Sequence, residues 1–123
     1  MKRLTFIIVA CMLGWGGIPT LATAPQIEIV IENSSPYYLP ASANAPVGAS
    51  VRWDNPTPSP HTITHDGCLD EGPCMFDSGA ISPGASYSIP SLPPGQYPYA
   101  CRLHPIMRGV LTVVDPPGPA TQT

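Results

Sequence analysis

From Gln26 the chain reads Q-I-E-I-V-I-E, with Ile27, Ile29 and Ile31 alternating against Glu28, Val30 and Glu32. That two-residue period predicts a half-buried strand over Gln26–Glu32. Asn33–Pro46 carries no such period and reads as a loop-rich passage anchored by Tyr38, Leu39 and Pro40. Val47-Gly48-Ala49 turns the chain into a second strand, Ser50–Trp53, whose Trp53 is expected in the core. The run N-P-T-P-S-P, Asn55–Pro60, cannot join a sheet interior, because proline has no N–H to give a ladder. It delivers the chain to His61–Thr64, a short strand of mostly β-branched residues. His65–Ser78 is polar and reads as an insertion. Beyond it, strands are predicted at Ala85–Ile89, Gln96–Cys101 and Gly109–Val114, separated by the turns S-P-G and P-P-G and by the loop Arg102–Arg108.

Composition supports this pattern. Eighteen prolines and eleven glycines in 123 residues leave no room for long helices. The reading is an all-β domain of about seven to eight short strands, a β-sandwich or closed barrel. Loops far apart in sequence meet at one end of such a fold.

The first two dozen residues differ. Lys2 and Arg3 precede an uncharged apolar run, Leu4–Leu21, and Ala22-Thr23-Ala24 is a small-residue cleavage pattern. Residues 1–24 are therefore expected to be a signal peptide cleaved near 22–24, with an uncleaved membrane anchor as the alternative. The domain is expected over 25–115, with 116–123 a disordered tail. Localisation would be periplasmic or secreted. Loss of Lys2 and Arg3 leaves three arginines against eight acidic residues, a net charge of −5. Nucleic acid is not an expected partner for that balance.

Export also bears on the cysteines. Cys68, Cys74 and Cys101 remain after the leader, an odd number in an oxidising compartment. Cys68 and Cys74, in C-L-D-E-G-P-C, are the expected disulfide. The competing reading of this insertion is a second soft-metal site from His65, Cys68, Cys74 and Met75. Cys101 is left over. It opens C-R-L-H-P-I-M, where thiol, imidazole and thioether recur every three residues at Cys101, His104 and Met107. A cysteine nucleophile would want an orienting amide or carboxylate in context, and none is legible. The donor set is instead one that suits copper. A site with two imidazoles, a thiolate and a long axial thioether needs one more histidine. His61, held by the proline-rich run, is the better candidate than His65, which reads as a surface residue.

These stretches together resemble the cupredoxins, the type 1 blue-copper proteins, and within them the amicyanin and plastocyanin group. The resemblance is carried by Y-L-P at Tyr38–Pro40, V-G-A-S-V-R-W-D-N at Val47–Asn55, P-H-T at Pro60–Thr62 and F-D-S-G at Phe76–Gly79. It continues through P-G-Q-Y-P-Y-A-C at Pro94–Cys101 and H-P-I-M-R-G at His104–Gly109. It implies a Greek-key sandwich holding one type 1 copper ion, with His61, Cys101 and His104 in plane and Met107 axial. One departure stands out: such proteins often have Asn after the first histidine, and here that residue is Thr62. The loop-fixing bond would then come from Thr62 or from backbone N–H groups.

The functional expectation is an exported, monomeric one-electron carrier between redox proteins; Arg102 and Arg108, which flank the ligand loop, read as solvated surface charge, with steering toward an acidic partner as the alternative. Neither enzymatic activity nor a small-molecule substrate is expected, since no acid–base pair is legible. The alternative is a periplasmic copper-binding protein for storage, delivery or resistance. A β-sandwich module with a degenerate site is the least favoured, because all four donors are present.

Overall fold

The isoleucine stripe forms the first strand of a computed structural model that describes residues 25–115. The expected leader, 1–24, and tail, 116–123, lie outside the described residues. In β1 (Gln26–Ile31), Ile29 and Ile31 are fully buried while Gln26 and Glu28 face solvent. The other strands are β2 (Tyr38–Leu39), β3 (Ser42–Pro46), β4 (Ser50–Asp54), β5 (Thr64–His65), β6 (Ser86–Ile89), β7 (Gly95–Ala100) and β8 (Arg108–Val114).

They form two four-stranded sheets, ordered β2-β1-β4-β6 and β3-β8-β7-β5. Each is mixed. The β1–β4 and β3–β8 pairs are parallel and the rest antiparallel. Every connection from β2 through β7 passes from one sheet to the other. This is the all-β, crossed-over sandwich expected from the sequence. Its core lies between the sheets: Ile29, Ile31, Val51, Trp53 and Ile89 from one meet Ala43, Ala45, Tyr97, Tyr99, Leu111 and Val113 from the other. Trp53 and Tyr99 meet edge-on with ring centroids 5.5 Å apart, and Tyr38 meets Tyr99 at 4.9 Å. Burial of each such ring stabilises the fold by roughly 1.5–3 kcal/mol. Trp53 Nε1–H donates to the Tyr99 hydroxyl at 3.1 Å, so the indole's one polar atom is satisfied across the sandwich.

Three local expectations are corrected. Ser42–Pro46 is not loop but the edge strand β3, paired in parallel with β8. Its inward residues are Ala43 and Ala45, too small to show a hydrophobic period. Of the Tyr38–Leu39–Pro40 anchor, only Tyr38 is buried; Leu39 and Pro40 face solvent. His61–Thr64 is not a continuous strand. His61 makes a single bridge to Ile81, and pairing with β7 begins at Thr64. Within the insertion, Asp66–Leu69 forms one helical turn, α1.

Gly109 opens the last strand predicted from the sequence, directly after the loop Arg102–Arg108. It already lies within β8, opposite Tyr99, and its φ is not positive. What requires glycine is space: a Cβ there would sit 2.5 Å from Cζ and Oη of Tyr99. The ring lies over the bare backbone and reaches Trp53 from that position. Gly109→Ala is expected to destabilise the protein by roughly 1–3 kcal/mol, the usual cost of overpacking a tight core, read from urea unfolding.

Candidate metal centre

His61 reaches the site through a proline-rich run that makes no ladder, so its backbone needs other partners. Asn55 supplies them. Its buried amide donates to the carbonyls of Ser59 and Ile81, both at 2.9 Å. Its Oδ1 accepts from Thr57 N–H at 3.1 Å and from the Thr57 hydroxyl at 2.7 Å. All four hydrogen-bonding positions of the amide are thus used, three within the proline-rich run and one on Ile81. His61 then exchanges two backbone bonds with Ile81, at 2.7 and 3.2 Å.

The other donors come from one loop at the end of β7. His104 N–H donates to the Cys101 carbonyl at 3.3 Å, and Met107 N–H to the His104 carbonyl at 2.8 Å. Cys101 N–H donates back to the Met107 carbonyl at 3.1 Å, which closes the loop. Two successive turns therefore explain the spacing of three in Cys101, His104 and Met107.

The site brings together His61, Cys101 and His104, whose ligand atoms all lie within 4.8 Å of one another. Cys101 Sγ is 3.9 Å from His61 Nδ1 and 3.7 Å from His104 Nδ1. These separations suit donors sharing one ion at about 2 Å from each. Met107 is buried and lines the same cleft of about 210 Å³, together with His61, His104, Asn33, Tyr37 and Ile106. Asn33 Oδ1 faces His61 Nε2 at 3.3 Å. That contact places the ring proton on Nε2 and leaves the Nδ1 lone pair turned toward the thiol. Burial, reinforced by His104 nearby, holds His61 below the ordinary imidazole range, so it stays neutral and able to bind a metal.

Thr62 joins the two ligand segments, in place of the expected Asn. Its N–H donates to Cys101 Sγ at 3.3 Å, and its hydroxyl accepts from Arg102 N–H at 2.8 Å. Its carbonyl accepts from the Tyr38 hydroxyl at 3.0 Å. Burial pushes the Tyr38 phenol far up, so it remains a donor. Arg102 and Arg108, read as surface charges, are about half exposed and pair with Asp77 and Asp66 respectively. Both pairs tie the ligand loop to the insertion. Burial alone would raise the Asp77 carboxyl. Hydrogen bonds from Arg102, Thr64 and Gly79 N–H outweigh it and hold Asp77 below the usual carboxylate range.

The second soft-metal site is not assembled. Cys68 and Cys74 are joined in a disulfide. His65 packs against Phe76 and Tyr97, with centroids at 5.3 and 5.7 Å, and its Nδ1 accepts from Met75 N–H at 3.1 Å. It is therefore half-buried and engaged, not a bare surface histidine. Sequence reasoning missed Asn33, the organising role of Asn55, and the partnership of Thr64 with Asp77. Only Asn55 carried a signal, as the polar residue opening an otherwise unsupported proline run.

Cys101 is the free cysteine among the described residues and has no exposed surface. Alkylation without reductant, mapped by mass spectrometry, is expected to leave Cys68 and Cys74 unmodified. Cys101 should be labelled slowly in the folded metal-free protein and fully on unfolding.

The chain is similar to known proteins in sequence and fold. A purple cupredoxin from Nitrosopumilus maritimus is 27% identical, with a TM-score of 0.61, over 72% of this chain and 99% of that one. An amicyanin mutant in its Cu(I) form is 25% identical, with a TM-score of 0.59, over 77% of this chain and 86% of that one. A copper-containing nitrite reductase from Thermus scotoductus is 25% identical, with a TM-score of 0.63. The match covers 84% of this chain but 25% of the enzyme. The Cupredoxin-like domain family matches residues 4–113. With its sandwich and a donor set of His61, Cys101, His104 and Met107 that fits a type 1 copper site, the chain belongs to the cupredoxin-like family.

Proposed function

We propose that this protein is an exported, monomeric one-electron carrier in which His61, Cys101, His104 and Met107 would hold a single copper ion. The observation that carries this reading is the preassembled donor set. A buried thiol stands within 3.9 Å of two imidazole nitrogens, on two segments bonded to each other through Thr62. Copper supplies the ability to gain and lose one electron. The protein's contribution is to hold donors acceptable to both oxidation states in one place, so that little rearranges on transfer. His61 is deep and hydrogen-bonded, while His104 is exposed. Around His104, Leu103 is 49% and Ile106 72% exposed, beside Pro105. An apolar surface around the accessible imidazole is where a redox partner would dock and the electron would pass. The leader pattern and the Cys68–Cys74 disulfide support export to an oxidising compartment.

Copper storage or delivery through the same ligands is the second reading. Its support in the insertion is weakened, because the disulfide consumes two of the four donors that a second site would need. Only three histidines occur in the chain, too few for the additional copper cluster of a multicopper oxidase. Reversible voltammetry separates the two readings, since a delivery protein need not cycle.

On addition of Cu(II), an intense thiolate-to-copper visible band is expected. Cys101→Ala and His61→Ala should abolish it, and His65→Ala should keep it. A colourless wild-type protein would sink the assignment. Met107→Gln is expected to remain coloured while its reduction potential falls, because an amide oxygen favours Cu(II) over a thioether. An unchanged potential would remove Met107 from the ligand set.

A further inference from the structure

We propose that Asp77 is a positioning residue for the copper-binding thiol, acting through the Thr64 and Thr62 hydroxyls to hold the Cys101–Arg102 peptide against His61–Thr62. The inference rests on the copper reading above and adds to it a residue far from the ligands in sequence.

The register of the second sheet sets up the chain of bonds. Thr64 lies opposite Ala100, so Thr62, two residues earlier, lies near Arg102, two residues later. Thr62 and Thr64 share a face, and their hydroxyl oxygens are 2.9 Å apart. Thr64 Oγ1 is 3.0 Å from Asp77 Oδ1, which also accepts from Gly79 N–H at 3.4 Å, and Asp77 Oδ2 accepts from Arg102 Nη2 at 2.8 Å.

An ionised carboxylate can only accept, which orients every hydroxyl in the series. Thr64 must give its proton to Asp77. Its remaining lone pair then takes the proton of Thr62. Thr62 is left with lone pairs alone, facing Arg102 N–H at 2.8 Å. Without the carboxylate, Thr62 and Thr64 could exchange donor and acceptor roles, and the lone pair offered to Arg102 would be shared with other orientations. Thr64 and Thr62 are 0% and 3% exposed, so solvent does not compete for these hydroxyls. The consequence is local to the sulfur: Arg102 follows Cys101 directly, and Thr62 N–H is the donor to Cys101 Sγ. The guanidinium arm is 44% exposed and adds little by itself. The buried hydroxyls carry the effect.

The test uses Asp77→Ala, the near-isosteric Thr64→Val, their double variant, and Thr64→Ser, which restores the hydroxyl. In the metal-free protein, hydrogen exchange of the Arg102 amide is followed relative to slowly exchanging core amides. Asp77→Ala and Thr64→Val should each speed it by roughly two- to tenfold, the factor expected for losing one hydrogen bond. The double variant should add little to either single change, and Thr64→Ser should return the wild-type rate. In the copper-loaded protein the first three should shift the thiolate band and lower the reduction potential, and Thr64→Ser should restore both. Wild-type exchange at Arg102 in Asp77→Ala and Thr64→Val, with only the melting temperature lowered, would overturn the proposal. A wild-type protein that shows no thiolate band would sink the copper reading, and with it any role of Asp77 toward a metal. The exchange data would still report whether the hydroxyl series holds the peptide.

Discussion

Thr62 is bonded to both sides of the thiol, through its N–H to Cys101 Sγ and through its hydroxyl to Arg102 N–H. These two contacts link segments forty residues apart, and the site exists only while they hold. The rest of the sandwich works to make them available. Pairing of β5 with β7 sets the register, Tyr38 fixes the Thr62 carbonyl, and the Asn55-organised run brings His61 in from the other side. The core has a corresponding link in the Trp53–Tyr99 bond, which joins the sheets from which the two ligand segments emerge.

The two imidazoles divide by exposure. His61 is buried, bridged to Ile81 by its backbone and fixed at Nε2 by Asn33. Cys101, His104 and Met107 sit on a loop closed by its own turns, with one imidazole left facing solvent. The deep donor and the exposed one are chemically alike, and their surroundings separate their roles. Desolvation favours the neutral form of the first and Asn33 orients it, while exposure leaves the second open to another molecule.

What was legible in the sequence follows the strength of each physical signal. The Ile27/Ile29/Ile31 period and Trp53 mark burial directly, and both lie where the pattern puts them, although Ile27 is only partly buried. The run C-x-x-H-x-x-M announces the site because its residue types are chemically rare together. β3 was hidden because alanines fill its inward positions. The need for glycine at position 109 was not legible, because close approach of Tyr99 leaves no trace in local sequence. Asn33, Thr64 and Asp77 are ordinary polar residues whose meaning depends on neighbours that only the folded register supplies.

The insertion between β5 and β6 bears on fidelity as well as architecture. The chain carries three imidazoles, and its copper chemistry calls for two. The superfluous one, His65, is only four residues from a ligand, close enough to compete in a loosely folded chain. It is clasped between Phe76 and Tyr97, and its Nδ1 accepts from the peptide N–H that follows Cys74. The covalently closed loop that ends at Cys74 thus holds the Met75 N–H against that histidine and keeps its ring packed apart from the His61, Cys101 and His104 cluster.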